Sequence, residues 1–198
     1  MQCNMKQLVL LLMMCFPTLL FGNEVVQNGI SYSIDEEKKT AEAIGYDQSS
    51  SYVTIPSTIT VDGKSYAVVS IGKKAFWNND KLQRVTIEDG VLDIKMAAFY
   101  YCRYLRSVKL PATLKSVGSS AFWKSLSLSS IYIPASLTDL NADAFTEGGM
   151  IAYEVSPDNP VYASEDGIMF NKEKTELLHF PAKKYVESYS IPKTVEKI

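Results

Sequence analysis

Cysteine, histidine and an excess of charge of either sign are nearly missing from this chain. Its 198 residues include three cysteines and one histidine, and 20 Lys+Arg against 22 Asp+Glu leave a formal charge of −2. Cys3 and Cys15 fall near the start, so Cys102 stands alone in the rest of the chain, and one thiol makes no internal bridge. A reactive or metal-binding thiol also needs a neighbouring base or second thiol, and His179 is far away in sequence. Without a basic stripe there is no electrostatic signature of a nucleic-acid partner. No Gly-rich phosphate loop, Cys-x-x-Cys or His-Glu-x-x-His occurs. The chain is therefore read as non-catalytic, with no metal and no cofactor expected.

Long apolar runs are missing too, once Phe21 is passed. Before it, Lys6 precedes an apolar stretch from Leu8 to Phe21 that is short for a bilayer span. Residues 1–22 read as a secretory signal peptide with cleavage after Gly22. Met14 sits before Cys15 where lipid attachment needs a small residue, so a lipoprotein anchor is not expected. With no later transmembrane segment, the expected location is secreted or at the cell surface.

What the sequence has instead is a period. Ala75-Phe76, Ala98-Phe99, Ala121-Phe122 and Ala144-Phe145 recur every 23 residues. Aliphatic columns keep step with them: Val85, Val108 and Ile131; Ile87, Leu110 and Ile133; Val91, Leu114 and Leu137; Ile71, Ile94, Val117 and Leu140; Leu82, Leu105, Leu128 and Ile151. Units this short cannot bury their apolar face alone, so the pattern implies coils stacked in register around one core. Within a unit, Val85 and Ile87 alternate with polar residues as a short strand with one buried face does. Pro111, Pro134 and Pro192 end the strands, since proline has no N–H for a ladder. Gly72 and Gly118 are read as sharp bends, and Ala-Phe as the start of a short helical turn. Cys102 aligns with Asn79, Ser125 and Gly148, which suits a small buried residue at a tight turn.

The pattern Leu-x-x-Val-x-Ile-x-x-x-(Val/Leu)-x-x-Ile-Gly-x-x-Ala-Phe, with Cys or Asn three residues after Phe, resembles the BspA-like leucine-rich repeat family of bacterial surface proteins. The resemblance covers residues 53–198, with Ile94-Lys95 and Leu140-Asn141 in place of Ile-Gly and Glu88 where the family usually has proline. It implies a β-dominated leucine-rich repeat solenoid of 23-residue units, each with a short strand, a turn and a short helical turn. It also implies a secreted or surface-displayed binding module, with adhesion to host or extracellular-matrix proteins as the leading role.

Three segments depart from the repeat. Residues 23–52 read as a capping hairpin that shields the first edge, with Gly29 to Ile34 and Thr40 to Ile44 alternating around Asp35-Glu-Glu-Lys38. Insertions near 57–70, with Asp62-Gly63 at the turn, and near 159–181 read as protruding β-ribbons. At the other end, Tyr189 to Ile198 begins a repeat that never reaches its Ala-Phe segment, so the last repeat is incomplete.

Two surfaces are candidates for binding. In leucine-rich repeats the strand face exposes the residues between the buried ones, here Arg84, Thr86, Glu88, Ser107, Lys109, Ser130 and Tyr132, which suits a protein ligand. The column Trp77, Tyr100 and Trp123, one residue after each core Phe, would suit a glycan. The alternative to both is a structural spacer within a larger surface protein, which has no saturable ligand.

Overall fold

The computed structural model describes residues 23–198, a β-solenoid with a β-sheet cap. The expected signal peptide, with its cleavage site, lies outside the described residues. Among those residues no helix is long and apolar enough to cross a membrane.

The cap is an antiparallel meander of β1 (Glu24–Gln27), β2 (Ile30–Asp35) and β3 (Thr40–Tyr46). Strand β1 adds to the hairpin expected from the sequence, joined through Asn28-Gly29 at φ 52° and 76°, both left-handed as a tight hairpin turn requires. Strands β4 (Tyr52–Ile55), β5 (Thr58–Val61) and β6 (Lys64–Ile71) follow, and β5 and β6 pair across Asp62-Gly63. The 57–70 insertion is not a free ribbon. Strand β6 runs parallel to β3 on one side, buries Tyr66 and Val68, and hands its last residues to the solenoid.

The coils contribute β7 (Arg84–Ile87), β8 (Asp93–Ile94), β9 (Ser107–Lys109), β10 (Ser116–Val117), β11 (Ser130–Ile133), β12 (Asp139–Leu140) and β13 (Ala152–Val155). They stack in two parallel rows. One runs β6, β8, β10, β12; the other runs β4, β7, β9 and then, after a break, β11 and β13. The 159–181 insertion is a three-stranded antiparallel sheet of β14 (Tyr162–Glu165), β15 (Ile168–Asn171) and β16 (Leu177–His179).

The third side of each coil, at Ala-Phe, differs from the expected helical turn. Among the described residues no helix occurs. In the second coil the N–H groups of Ala97, Phe99 and Tyr101 donate to Ser119, Ala121 and Trp123 of the next coil, at 2.9, 2.7 and 2.7 Å. Those of Ala98, Tyr100 and Cys102 donate back three residues within the coil. Alternate donors thus point out of the coil, which an α-helix does not allow. The geometry is set by left-handed residues on both sides of Ala-Phe, at Lys74, Ala97 and Ser120 and again at Asn78, Tyr101 and Lys124, with φ between 54° and 62°. Gly72 and Gly118 are not the bends: neither has a positive φ. They permit close approach, because a Cβ on Gly118 would meet the Met96 backbone nitrogen at 2.8 Å, and one on Gly72 the Glu42 carboxylate at 2.6 Å.

Inside, Phe76, Phe99, Phe122 and Phe145 form one file with ring centroids 4.9, 5.1 and 5.1 Å apart. That is about the spacing of hydrogen-bonded strands, ~4.8 Å, so rings and ladders keep the same step. Tyr46 caps the file at one end, and Tyr153 meets it edge-on at the other. Cys102 is fully buried in the turn, and its thiol donates to the Phe76 carbonyl at 3.1 Å. Burial pushes that thiol up to about 12, so it stays protonated. One column slips. Strand β13 pairs Ala152 with Ser130, an offset of 22 instead of 23, so Met150 takes the buried place expected for Ile151, which is 49% exposed.

In the cap, Glu36 accepts the Tyr66 hydroxyl at 2.5 Å and lies 3.1 Å from the Lys39 ammonium. The Tyr66 bond, helped by Lys39, holds the Glu36 carboxyl down at about 2. A depressed carboxylate stabilises the fold above its unfolded value, near 4.5, and that contribution is lost as pH falls through about 2. Tyr66→Phe is expected to move the Glu36 midpoint up toward 4.5 in a carboxyl NMR titration; an unmoved midpoint would assign the depression to the lysines.

Candidate functional site

The strand face is built by the alternation that fills the core. Val85 and Ile87 point inward, so Arg84 and Thr86 point out, and the parallel ladder sets Arg84 beside Ser107 and Thr86 beside Lys109. Across the break, β11 presents Ser130 and Tyr132 beside Ala152 and Glu154. The earlier coil adds Tyr52 and Thr54, registered on Arg84 and Thr86. Tyr52 is 60% exposed, and the Arg84 guanidinium lies over its ring at 5.5 Å. Tyr52 does not stand out in the sequence, because the 57–70 insertion sets it 32 residues before Arg84, off the period. The signal was present in Val53-x-Ile55-Pro56, which matches Ile131-x-Ile133-Pro134.

Of the seven strand-face candidates, Thr86, Glu88, Lys109 and Tyr132 line one groove of about 730 Å³; Arg84, Ser107 and Ser130 do not line it. The groove lies where the ladder opens between β9 and β11. Val108 and Leu110 surface slightly there, at 8% and 9% exposure, whereas Val85 is sealed at 0%. With Ile87 and Pro134 they give the groove an apolar lining.

The acids of the groove are already engaged. Glu88 accepts the Ser57 N–H at 2.9 Å, and Asp89 the Ala112 N–H at 2.7 Å, so both brace loops. Lys109 pairs with no carboxylate among the described residues. An apolar lining with a half-exposed tyrosine and an unpaired ammonium suits recognition. His179 packs against the Tyr153 ring at 5.5 Å, where burial lowers its pKa and favours the neutral imidazole. Among the described residues no group of three metal-ligating side chains comes together.

The other candidate column lies on the turn-bearing side. Tyr100 and Trp123 stack at 4.5 Å and 14°, and Tyr101 joins them at 6.4 Å from Trp123. Trp77 is 48% exposed and belongs to the same row, since the Asn78 N–H donates to the Tyr100 carbonyl. Three of the coils also carry a cation over a ring: Lys74 over Trp77 at 5.9 Å, Arg103 over Tyr101 at 4.9 Å and Lys124 over Trp123 at 4.1 Å.

Known proteins match this architecture. The sequence profile described as "BspA type Leucine rich repeat region" matches in six copies, over residues 44–151 and 69–198. Among solved structures, a leucine-rich repeat protein from Bacteroides capillosus is 30% identical with a TM-score of 0.64, over 68% of this chain and 99% of that one. A leucine-rich repeat protein of T. pallidum is 27% identical with a TM-score of 0.58, over 67% of this chain and 64% of its own. The pneumococcal vaccine antigen PcpA shares the fold at 22% identity and a TM-score of 0.52, over 88% of this chain and 60% of its own. No curated protein matches the sequence.

Proposed function

Since the chain belongs to the BspA-type leucine-rich repeat family, we propose that it is an exported, non-catalytic module whose strand face recognises a protein partner, with host or extracellular-matrix proteins as the leading class. The observation that carries this reading is the groove at the opened ladder, where Lys109 and Tyr132 stand unengaged beside the apolar floor of Val108 and Leu110. Interfaces concentrate their energy in a few aromatic and cationic anchors around an apolar centre, and this groove has that composition. The two acids of the groove, Glu88 and Asp89, are committed to loop hydrogen bonds. Export rests on the apolar run from Leu8 to Phe21.

The test is saturable binding to an immobilised panel of extracellular-matrix proteins, repeated with Lys109→Glu combined with Tyr132→Ala. Loss of two hot-spot side chains is expected to weaken binding by on the order of 30-fold or more. Binding that survives the double change moves the site off this face. No saturable binding at all would favour the spacer.

A further inference from the structure

We propose that the turn-bearing side is a second, separate site that binds an acidic polysaccharide, one carrying sulfate or carboxylate groups along its length. This does not rest on the strand-face reading. Three successive coils each hold one cation over one ring: Lys74 on Trp77, Arg103 on Tyr101 and Lys124 on Trp123. The hydrogen bonds from Asn78 to Tyr100 and from Tyr101 to Trp123 fix these coils side by side, so three adjacent coils each supply one cation, from a different position of the repeat. Lys124 also meets Glu147 at 3.2 Å, whereas Lys74 and Arg103 pair with no carboxylate among the described residues. A chain of formal charge −2 thus gathers three ring-bound cations against the Glu147 carboxylate on this side.

The rings hold those heads in place, and a partner that uses them loses less freedom on binding. A sugar presents apolar C–H faces and, when acidic, several anions along its length, and both find a complement here: the half-exposed Trp77 indole and the three ring-bound cations. A neutral glycan would leave the cations unused. A single-stranded nucleic acid needs open ring faces for its bases. Here Tyr100 and Trp123 close a face of each other, and Lys124 lies over the indole.

Heparin is the probe, measured by biolayer interferometry on the whole chain, with dextran as the uncharged polymer and polyuridylate as the nucleic acid. Heparin is expected to bind at 50 mM salt and to weaken roughly tenfold by 150 mM, as release of counterions from about three contacts implies. Combining Lys74→Gln, Arg103→Gln and Lys124→Gln keeps the side-chain stems on the rings and is expected to weaken binding about tenfold or more at 50 mM salt. Trp77→Ala should weaken it as well, and Lys109→Glu with Tyr132→Ala should leave it unchanged. The proposal is overturned by absence of heparin binding at 50 mM salt, by binding that the triple change leaves intact, or by loss of binding in the strand-face variant. Equal affinity for dextran or for polyuridylate overturns it too. The thermal midpoint of the triple variant should match that of the parent. If it falls, the three single changes, each with a parental midpoint, must weaken binding in its place.

Discussion

Phe99→Ala is expected to lower stability by about 3–5 kcal/mol, the range for deleting a large buried aromatic side chain. Phe99 is fully buried, with Phe76 at 4.9 Å on one side and Phe122 at 5.1 Å on the other. Collapse around the hole is hindered, because neighbouring coils are held at their spacing by ladders through Val85 and Val108, through Ile94 and Val117, and through Phe99 and Ala121. The cost should therefore lie toward the upper end, since a site that cannot relax keeps its cavity. In a solenoid, stability is carried by contacts between neighbours, so a defect in the second coil weakens the coupling of everything before it to everything after it. Urea unfolding should show a lower midpoint and a broader transition. A destabilisation below about 1 kcal/mol would mean that the rings do not form a shared interior file.

That file was legible in the sequence because burial repeats with the chain. Ala-Phe every 23 residues, with Val85, Val108 and Ile131 in step, leaves one arrangement that buries all of them. Backbone features are harder to read. Lys74, Ala97 and Ser120 share a left-handed conformation that none of these residue types favours, at about 1–2 kcal/mol each. Hydrogen bonds to the next coil impose it, so it follows from stacking and not from local propensity. The helical turn expected at Ala-Phe failed for that reason. Glycine misled in the same way: Gly72 and Gly118 suggest a bend, yet their use is the space beside Glu42 and Met96.

The candidate sites were legible to a similar depth. Alternation located the outward residues of the strand face, but the break between β9 and β11 that makes a groove of them has no counterpart in the sequence, since Ser107 and Ser130 keep the 23-residue interval across it. Tyr52 was hidden by an insertion, and the Tyr101 ring by its place one residue beyond the repeating aromatic column. What a period reports is burial. Where the surface departs from the period, it is shaped by insertions and by side chains that reach across coils.

Gly149→Ala is expected to destabilise the chain by about 3 kcal/mol or more, the upper end for an over-packed site. A Cβ at Gly149 would lie 2.0 Å from the Leu126 carbonyl oxygen and 2.7 Å from its carbon, and backbone cannot rotate aside as a side chain can. The position is fixed by its own hydrogen bond, from the Gly149 N–H to the Ser125 carbonyl at 3.1 Å. Relief therefore requires the Gly148–Met150 segment to leave the third coil, which withdraws Met150 from the core place it takes when the register slips to 22 residues. Gly63→Ala is the instructive comparison. No heavy atom lies within 4 Å of a Cβ there, but φ is +76°, so the penalty is the conformational one alone, about 1–2 kcal/mol. Thermal unfolding should rank the two with Gly149→Ala clearly lower. Hydrogen exchange should place its new weakness in β13 and the three-stranded sheet, with the file from Phe76 to Phe122 still protected. The reverse ranking would mean that the fourth coil is not seated against the third at this glycine.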